Sequence, residues 1–256
     1  MLKIEKYLTA SPDQWKMVLL GMRNPMNSWD RMDSKIIPFA HNCGAGTFLH
    51  MGKNDHDLAM RLAAGGPVHG KYLRMLPVWV DILAPLYWWK EFDTYKVGTA
   101  ANSCSTMHKI HEKEFTLEDF STEHLISYDD FPEWKDSVVI KIADDLTSRV
   151  TTKGPIIMVG NDYFLSPIGT LNITIDMLNR CRDLYLQTND KRYWWQMIQL
   201  LPSSYNQKRT VMLNYQVLHD IYRDRRNHKL DEWHVFCDWI RELPYSELIV
   251  GEDSEE

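Results

Sequence analysis

The chain has 256 residues, of which 44% are hydrophobic and 25% charged, and this is the composition of a globular protein that needs neither disulfides nor metal for stability. Its net charge of -6 at pH 7 argues against a protein that coats or slides along a nucleic-acid polymer, because such proteins are normally basic. No apolar run is long enough to span a membrane, so we expect no membrane partner.

The cysteines are far apart in the sequence and form no CxxC pair. They are Cys43, Cys104, Cys181 and Cys237. This usage is typical of reduced thiols, and the N-terminus has no apolar signal core, so we expect a cytoplasmic protein. The acidic tail at residues 251–256 is expected to be disordered.

The first predicted helix begins after Ser11, where a capping hydroxyl precedes a proline and an acidic residue. Residues 24–52 are rich in loop-forming residues, and we interpret Gly44-Ala45-Gly46 as a flexible loop. A second helix is predicted to stop at Gly65. The β-branched and aromatic residues of 71–83 then predict one or two strands, with Pro77 indicating an edge or a bulge.

Helical patterns dominate the second half of the chain. Pro85 and Pro132 each open a predicted helix, and a small polar loop covers 97–106. Further helices are predicted at about 170–187, 191–200, 207–226 and 229–242. No linker is rich enough in Pro, Gly or Ser to divide the chain, so we predict a single α+β domain over residues 1–256, built around a small sheet.

An arginine lies on the inward stripe of the predicted helix that starts near Asn214. Asn214, Arg225 and His228 share this stripe with aliphatic residues, and Gln216 lies on the opposite face. A buried guanidinium without a partner costs several kcal/mol, so Arg225 must meet a carboxylate, a group of carbonyls or an anionic ligand. Its planar fork suits phosphate or pyrimidine oxygens, and the alternative is an internal ion pair.

The segment that contains this arginine resembles the C-terminal segment of flavin-dependent thymidylate synthases, the ThyX family. In that family a Leu-Pro precedes an asparagine that opens a helix, and an arginine follows eleven residues later. Here these are Leu201-Pro202, Asn214 and Arg225. The resemblance implies that Arg225 binds and polarises the pyrimidine of dUMP and that Asn214 lies near the flavin. Gln216 stands where the family usually has a flavin-contacting arginine.

A second segment extends the resemblance to residues 60–245, whereas the N-terminal fifty residues match nothing in the family. His69 looks like the histidine that precedes the first core strand of the family. The family signature, Arg-His-Arg followed after seven residues by Ser, is absent. Its place holds Thr94-Tyr95-Lys96, and with one residue inserted Asn102 and Ser105 would be the counterparts in the polar loop.

The resemblance assigns residues to two sides of one site. The substrate side would contain Glu91, Lys96, Ser105 and Arg225, with Arg225 as the catalytic residue. The cofactor side would contain His69, Tyr95, Asn102, Asn214, Gln216 and Asp220.

The resemblance implies a ThyX-like fold, with a small antiparallel sheet packed with several helices, and a homotetramer. The implied reaction is reductive one-carbon transfer to C5 of dUMP or a related pyrimidine deoxynucleotide. FAD would be the cofactor, with NADPH and methylenetetrahydrofolate as co-substrates. One alternative is a non-catalytic protein that binds or sequesters a nucleotide on the same scaffold. Another is a helical interaction protein in which Arg225 merely pairs with an acid.

Three other features have simpler interpretations. His108, His111 and Glu112 could approach a metal from one helix face, but a solvated face explains them better and we expect no metal. Cys104 could be a nucleophile, although an inert thiol is the favoured interpretation. The pairs Trp88-Trp89 and Trp194-Trp195 indicate core or subunit packing, with flavin stacking as the alternative.

Overall fold

The computed structural model describes residues 1–41, 44–127, 157–159, 162–164 and 166–251. The helix predicted from Pro132, the thiol of Cys43 and the acidic tail after Gly251 lie outside these residues. The chain divides into two compact units. We call residues 2–84, 88–103 and 208–256 the sheet unit, and Met1, 85–87 and 104–207 the hairpin unit.

Strands and helices alternate irregularly along the described chain. The strands are β1 (Lys3–Thr9), β2 (Lys35–His41), β3 (Gly44–His50), β4 (Pro77–Pro85), β5 (Ala100–Ser103), β6 (Ile157–Val159), β7 (Asp162–Phe164) and β8 (Asn206–Asn214). The helices are α1 (Pro12–Arg23), α2 (Lys53–Ala64), α3 (Leu86–Phe92), α4 (Pro167–Thr188), α5 (Lys191–Leu200), α6 (Tyr215–Arg225), α7 (Asp231–Arg241) and α8 (Glu247–Val250).

A four-stranded sheet in the order β1-β4-β8-β5 organises the sheet unit. β1 pairs antiparallel with β4, and β5 pairs antiparallel with β8. Along β4 the side chains of Val78, Val80 and Ile82 are buried while Trp79 is exposed, so the sheet has one face toward the core. This small antiparallel sheet, packed with helices, confirms the predicted α+β class.

The prediction of one helix over 207–226 is wrong in its first half. Residues 206–214 form β8, in which Gln207, Val211 and Leu213 are buried on one face. This spacing of two belongs to a strand, and the helical spacing begins only at Tyr215. The asparagine at the junction opens the helix, as predicted, because Asn214 Oδ1 accepts a hydrogen bond from the backbone N–H of Val217 at 3.1 Å.

Three further expectations for the N-terminal half need correction. Residues 71–75 form a 3₁₀ helix, and only the segment from Pro77 onward is a strand. Pro77 is the first residue of β4, which lies inside the sheet and not at its edge. Residues 35–41 and 44–50, expected as loop, form the antiparallel strands β2 and β3, so Gly44-Ala45-Gly46 begins a strand.

The start of α1 is as predicted. Ser11 Oγ accepts from the backbone N–H of Gln14, and the Gln14 side chain accepts from the backbone N–H of Ser11. This reciprocal pair is a capping box, which satisfies two of the N–H groups that a helix leaves free at its start.

Aromatic side chains from α3 and α7 form much of the core of the sheet unit. The rings of Trp88 and Trp233, both fully buried, have centroids 4.7 Å apart, and Phe92 stacks on Trp88 at 5.1 Å. Core packing therefore accounts for the Trp88-Trp89 pair. Because Trp233 is fixed in this core, α3 and the region after α6 are held together.

The hairpin unit is built on the antiparallel contact of α4 with α5. Leu178 and Met197 are fully buried between them, together with Phe115 and Phe120 from the preceding loops. Trp195 on α5 stays exposed, at 43%.

Candidate functional site

Arg225 lies at the last turn of α6, and its guanidinium contacts Glu91 on α3 and Tyr95 just after that helix. Its Nε donates to the hydroxyl oxygen of Tyr95 at 3.0 Å, and its Nη1 donates to Oε2 of Glu91, also at 3.0 Å. The Arg225 side chain is 19% exposed and that of Glu91 34%. The partner of the inward arginine is therefore a carboxylate, and two of the predicted site residues lie beside it.

The same carboxylate oxygen of Glu91 is held by two more groups. The indole Nε1 of Trp233 donates to it at 2.8 Å, and Nε2 of His228 lies 3.4 Å away. Nδ1 of His228 accepts from the backbone N–H of Leu230, so the neutral ring carries its proton on Nε2 and can donate to Glu91. Several donors on one oxygen fix the position of Glu91, which in turn fixes the plane of the guanidinium.

Aromatic rings enclose the guanidinium of Arg225. Its Cζ lies 4.9 Å from the centroid of the Trp233 ring and 5.7 Å from that of the Tyr95 ring. Contacts of this kind attract a cation by about 0.5–2 kcal/mol, depending on desolvation. Together with the two hydrogen bonds, they leave the side chain little rotational freedom.

Tyr95 follows α3 and its hydroxyl is partly buried against Arg225. Burial raises the pKa of its hydroxyl, and the neighbouring guanidinium of Arg225 opposes that shift. The net pKa lies above the ordinary tyrosine value, so the side chain is a neutral phenol at physiological pH.

Asn214 belongs to a cavity of about 380 Å³ at the start of α6, shared with Arg74, Gly98 and Thr99. Gly98 has a φ of +82°, and a Cβ at this position would lie 2.9 Å from Nδ2 of Asn214. The Thr99 hydroxyl is buried, and within the described residues it has no hydrogen-bond partner. A buried hydroxyl without a partner is uncommon, and here it lies in a residue that lines the cavity.

Gln216 and Asp220 contact each other along α6. Gln216 was placed on the face of α6 opposite Arg225, yet it is only 7% exposed because α6 packs against α7, α8 and the 3₁₀ helix at 71–75. Its Nε2 donates to Oδ1 of Asp220 at 3.3 Å. The amide of Gln216 is therefore engaged with Asp220, one turn along the same helix.

The remaining predicted residues have other described surroundings. His69 lines a separate, mostly apolar cavity of about 510 Å³ with Met22 and Met75. Lys96 and Asn102 are exposed in the sheet unit. Ser105 belongs to the hairpin unit, where its hydroxyl oxygen accepts from two backbone N–H groups, those of residues 107 and 108.

Sequence reasoning missed several residues of these clusters. Trp233 and His228 contact Glu91, and Thr99 and Arg74 share the cavity of Asn214. His228 gave a signal, since it continues the inward stripe of Arg225. The helical spacing of α6 could not predict that Trp233 contacts Glu91, because a non-helical turn separates this residue from α6.

The described residues give no indication of a metal site or of a membrane-spanning helix. Within the described ranges, no three His, Cys, Asp or Glu side chains are grouped closely enough to hold a metal ion. Glu112, a candidate ligand, pairs with Lys109. Among the helices whose residues are described, none combines the length and apolar character needed to cross a membrane.

No family model matches the sequence, and no curated protein is similar to it in sequence. Solved structures do resemble the chain in three dimensions. A UMP/dUMP methylase, PolB from Streptomyces cacaoi bound with 5-Br UMP, aligns over 94% of this chain and 87% of its own, with 11% identity and a TM-score of 0.49. That TM-score is too low to support a conclusion about fold.

Two crystal structures of the flavin-dependent thymidylate synthase ThyX from Helicobacter pylori, both with FAD and dUMP, give a TM-score of 0.55. Their sequences are 13% and 14% identical to this chain. The alignments cover 98% of this chain and 97% and 98% of the others. Similarity over nearly the whole length, together with the antiparallel sheet and its helices, shows that the chain has a ThyX-like fold.

Proposed function

We propose that the chain binds dUMP, or a related pyrimidine deoxynucleotide, beside Arg225 and catalyses a reductive one-carbon transfer to C5 of the pyrimidine. The ThyX-like fold supports this proposal, because the similar Helicobacter pylori structures contain dUMP and FAD. Fold similarity alone does not determine function, so the argument rests on the chemistry of the site.

The proposal rests on the hydrogen bonds of the three guanidinium nitrogens of Arg225. Nε and Nη1 are occupied by Tyr95 and Glu91, whereas Nη2 makes no hydrogen bond within the described part of the chain. A guanidinium that is oriented by its surroundings and retains an open donor nitrogen, Nη2, can donate to a pyrimidine carbonyl oxygen. It would stabilise the negative charge that develops on the ring when C5 becomes nucleophilic, which is electrostatic catalysis and not proton transfer.

The cavity at the start of α6 fits a part of FAD. Asn214 and Arg74 both line it, and the Arg74 guanidinium would offer a cation for a phosphate. A volume of about 380 Å³ is near the lower end for ligand sites, so it would hold only a portion of the cofactor. The engaged amide of Gln216 does not contribute to this fit. Bound FAD would supply the hydride that converts the transferred carbon to a methyl group.

We further propose that NADPH and methylenetetrahydrofolate are the co-substrates and that the chain assembles as a homotetramer with one ThyX-like domain per subunit. The partial fit of FAD in one subunit agrees with a site completed by neighbouring subunits. Sedimentation velocity on the purified chain should give the mass of four subunits. A monomer at micromolar concentration would contradict this part of the proposal.

A second candidate is a protein that binds the nucleotide without chemistry. Two observations favour it: Thr94-Tyr95-Lys96 replaces the Arg-His-Arg signature, and Glu91 already neutralises the charge of Arg225. On this alternative the two arginines of the signature are simply lost, and with them the phosphate and flavin contacts that the family makes there.

Release of tritium from dUMP labelled at C5 separates the two candidates, because methylation at C5 must displace that hydrogen as a proton. The protein is incubated with labelled dUMP, FAD, NADPH and methylenetetrahydrofolate, and each component is omitted in turn. We expect release that requires all of them. Saturable dUMP binding without release would support the second candidate, and absence of both would exclude both.

A further inference from the structure

The direction of the hydrogen bond between Arg225 and Tyr95 leaves the phenolic proton free. Nε of arginine can only donate, so the Tyr95 oxygen is the acceptor at 3.0 Å. The Tyr95 O–H must therefore point to another group, and the described residues supply no acceptor for it. The carboxylate of Glu91 bonds to Nη1 of Arg225 and makes no hydrogen bond with the tyrosine hydroxyl.

The guanidinium has a second donor beside this hydroxyl. Nε and Nη2 lie on the same edge of the planar fork, and their N–H bonds are parallel, which is why this edge binds two oxygens of a carboxylate side by side. Tyr95 takes the position of one of these oxygens. An oxygen of a ligand in the other position would accept from Nη2 and would also lie within hydrogen-bond distance of the Tyr95 hydroxyl.

We propose that the Tyr95 hydroxyl and Nη2 of Arg225 bind the O4 carbonyl oxygen of uracil together, and that this pair makes the site selective for uracil over cytosine. This inference rests on the proposed nucleotide site at Arg225 and adds to it a residue that determines specificity. A carbonyl oxygen has two lone pairs and can satisfy both donors. The amino group at C4 of cytosine is itself a donor and would leave both without partners.

The two donors should therefore favour binding of uracil and disfavour binding of cytosine. A site whose buried donors are left unpaired by the wrong ligand rejects that ligand strongly, so we expect the wild-type chain to bind dUMP about 100-fold more tightly than dCMP. Tyr95→Phe removes one donor and keeps the ring against Arg225 and Trp233. The affinity for dUMP should fall about tenfold, whereas that for dCMP should stay constant or rise.

The experiment is isothermal titration of dUMP and dCMP into the wild-type chain, Tyr95→Phe and the matched control Tyr222→Phe. Tyr222 also lies against an arginine, since its hydroxyl oxygen accepts from Nε of Arg241 at 2.9 Å and its ring lies 5.5 Å from the Arg241 Cζ. The control should keep the wild-type ratio of the two affinities. Thermal unfolding of each variant verifies the fold.

Three outcomes would overturn the inference. Equal affinities of the wild-type chain for dUMP and dCMP would do so without any variant. A dUMP-to-dCMP ratio in Tyr95→Phe equal to that of wild type would exclude Tyr95 as the discriminating donor while leaving nucleotide binding intact. If the wild-type chain binds neither nucleotide, the proposed function fails together with this inference, and the titration distinguishes that case from the other two.

Discussion

Arg225 is the residue on which the functional account depends, and its environment defines the role of Glu91. Oε2 of Glu91 receives the guanidinium, the indole N–H of Trp233 and the proton of His228. A carboxylate oxygen with this many donors is poorly placed to bind a substrate as well. We therefore interpret Glu91 as a positioning residue for Arg225 and not as a direct substrate ligand.

Glu91→Gln tests this interpretation because the amide keeps an oxygen for Trp233 but removes the charge. The pair is partly exposed, so the free energy of unfolding should fall by only about 1 kcal/mol. A less firmly oriented Arg225 should bind dUMP about three- to tenfold more weakly. Urea unfolding and isothermal titration measure the two effects.

The control for this substitution is Glu5→Gln, which removes the carboxylate that pairs with Lys208 on the sheet. It should leave dUMP binding unchanged. Tighter dUMP binding by Glu91→Gln would show that the carboxylate competes with the substrate for Arg225, contrary to a positioning role.

The inward position of Arg225 was predictable because helical spacing is a local property of the sequence. Its contacts were not, since Glu91 and Tyr95 precede it by more than a hundred residues. Trp233 follows α6 on a separate helix, so the rotation between α6 and α7 decides whether the indole reaches Glu91.

At the scale of elements, the start of α6 depends on the close approach of Gly98 and Asn214. Gly98→Ala should lower the free energy of unfolding by about 2 kcal/mol in total. Roughly half comes from the positive φ, which a side chain disfavours, and the rest from displacing the Asn214 cap that the new methyl group would contact. Urea unfolding measures the change.

Gly66→Ala is the matched control, because Gly66 has a φ of +81° but open space around its Cβ position. It should cost only the backbone contribution, about 1 kcal/mol. Equal losses in the two variants would mean that Asn214 accommodates the methyl group without giving up its cap.

The sequence predicted helices better than strands, and the reason is the range of their hydrogen bonds. α1, α5 and α7 carry their caps or apolar spacing within a dozen residues. β8 instead depends on β5, about a hundred residues earlier, and its residues lead directly into α6. Nothing in a local window marks where such a strand ends and the helical spacing begins.

At the scale of the whole molecule, the ThyX-like fold was predicted from two short segments, and the structural similarity extends over 98% of the chain. Sequence identity of 13% and 14% shows how little of the sequence this architecture needs. The N-terminal fifty residues illustrate why. They had no counterpart by motif, yet they supply β1 of the central sheet, which is mostly exposed and is held by its backbone pairing with β4.

Function requires more particular residues than the fold does, and the candidate site was predicted only in part. Glu91, Tyr95 and Arg225 lie together, and Asn214 shares a cavity with Thr99. The sequence has Thr94-Tyr95-Lys96 at the place expected for a cationic signature, so the motif could not indicate which cations would bind a nucleotide phosphate.

The central claim, that Arg225 binds a pyrimidine nucleotide, is tested most directly by titrating dUMP into the wild-type chain, Arg225→Ala and Arg226→Ala. Arg226 is the exposed neighbour at the end of the same helix, so both variants lose one positive charge at nearly the same place. The account predicts saturable binding to wild type and Arg226→Ala, with affinity about 100-fold weaker in Arg225→Ala. Unchanged dUMP binding by Arg225→Ala would contradict it.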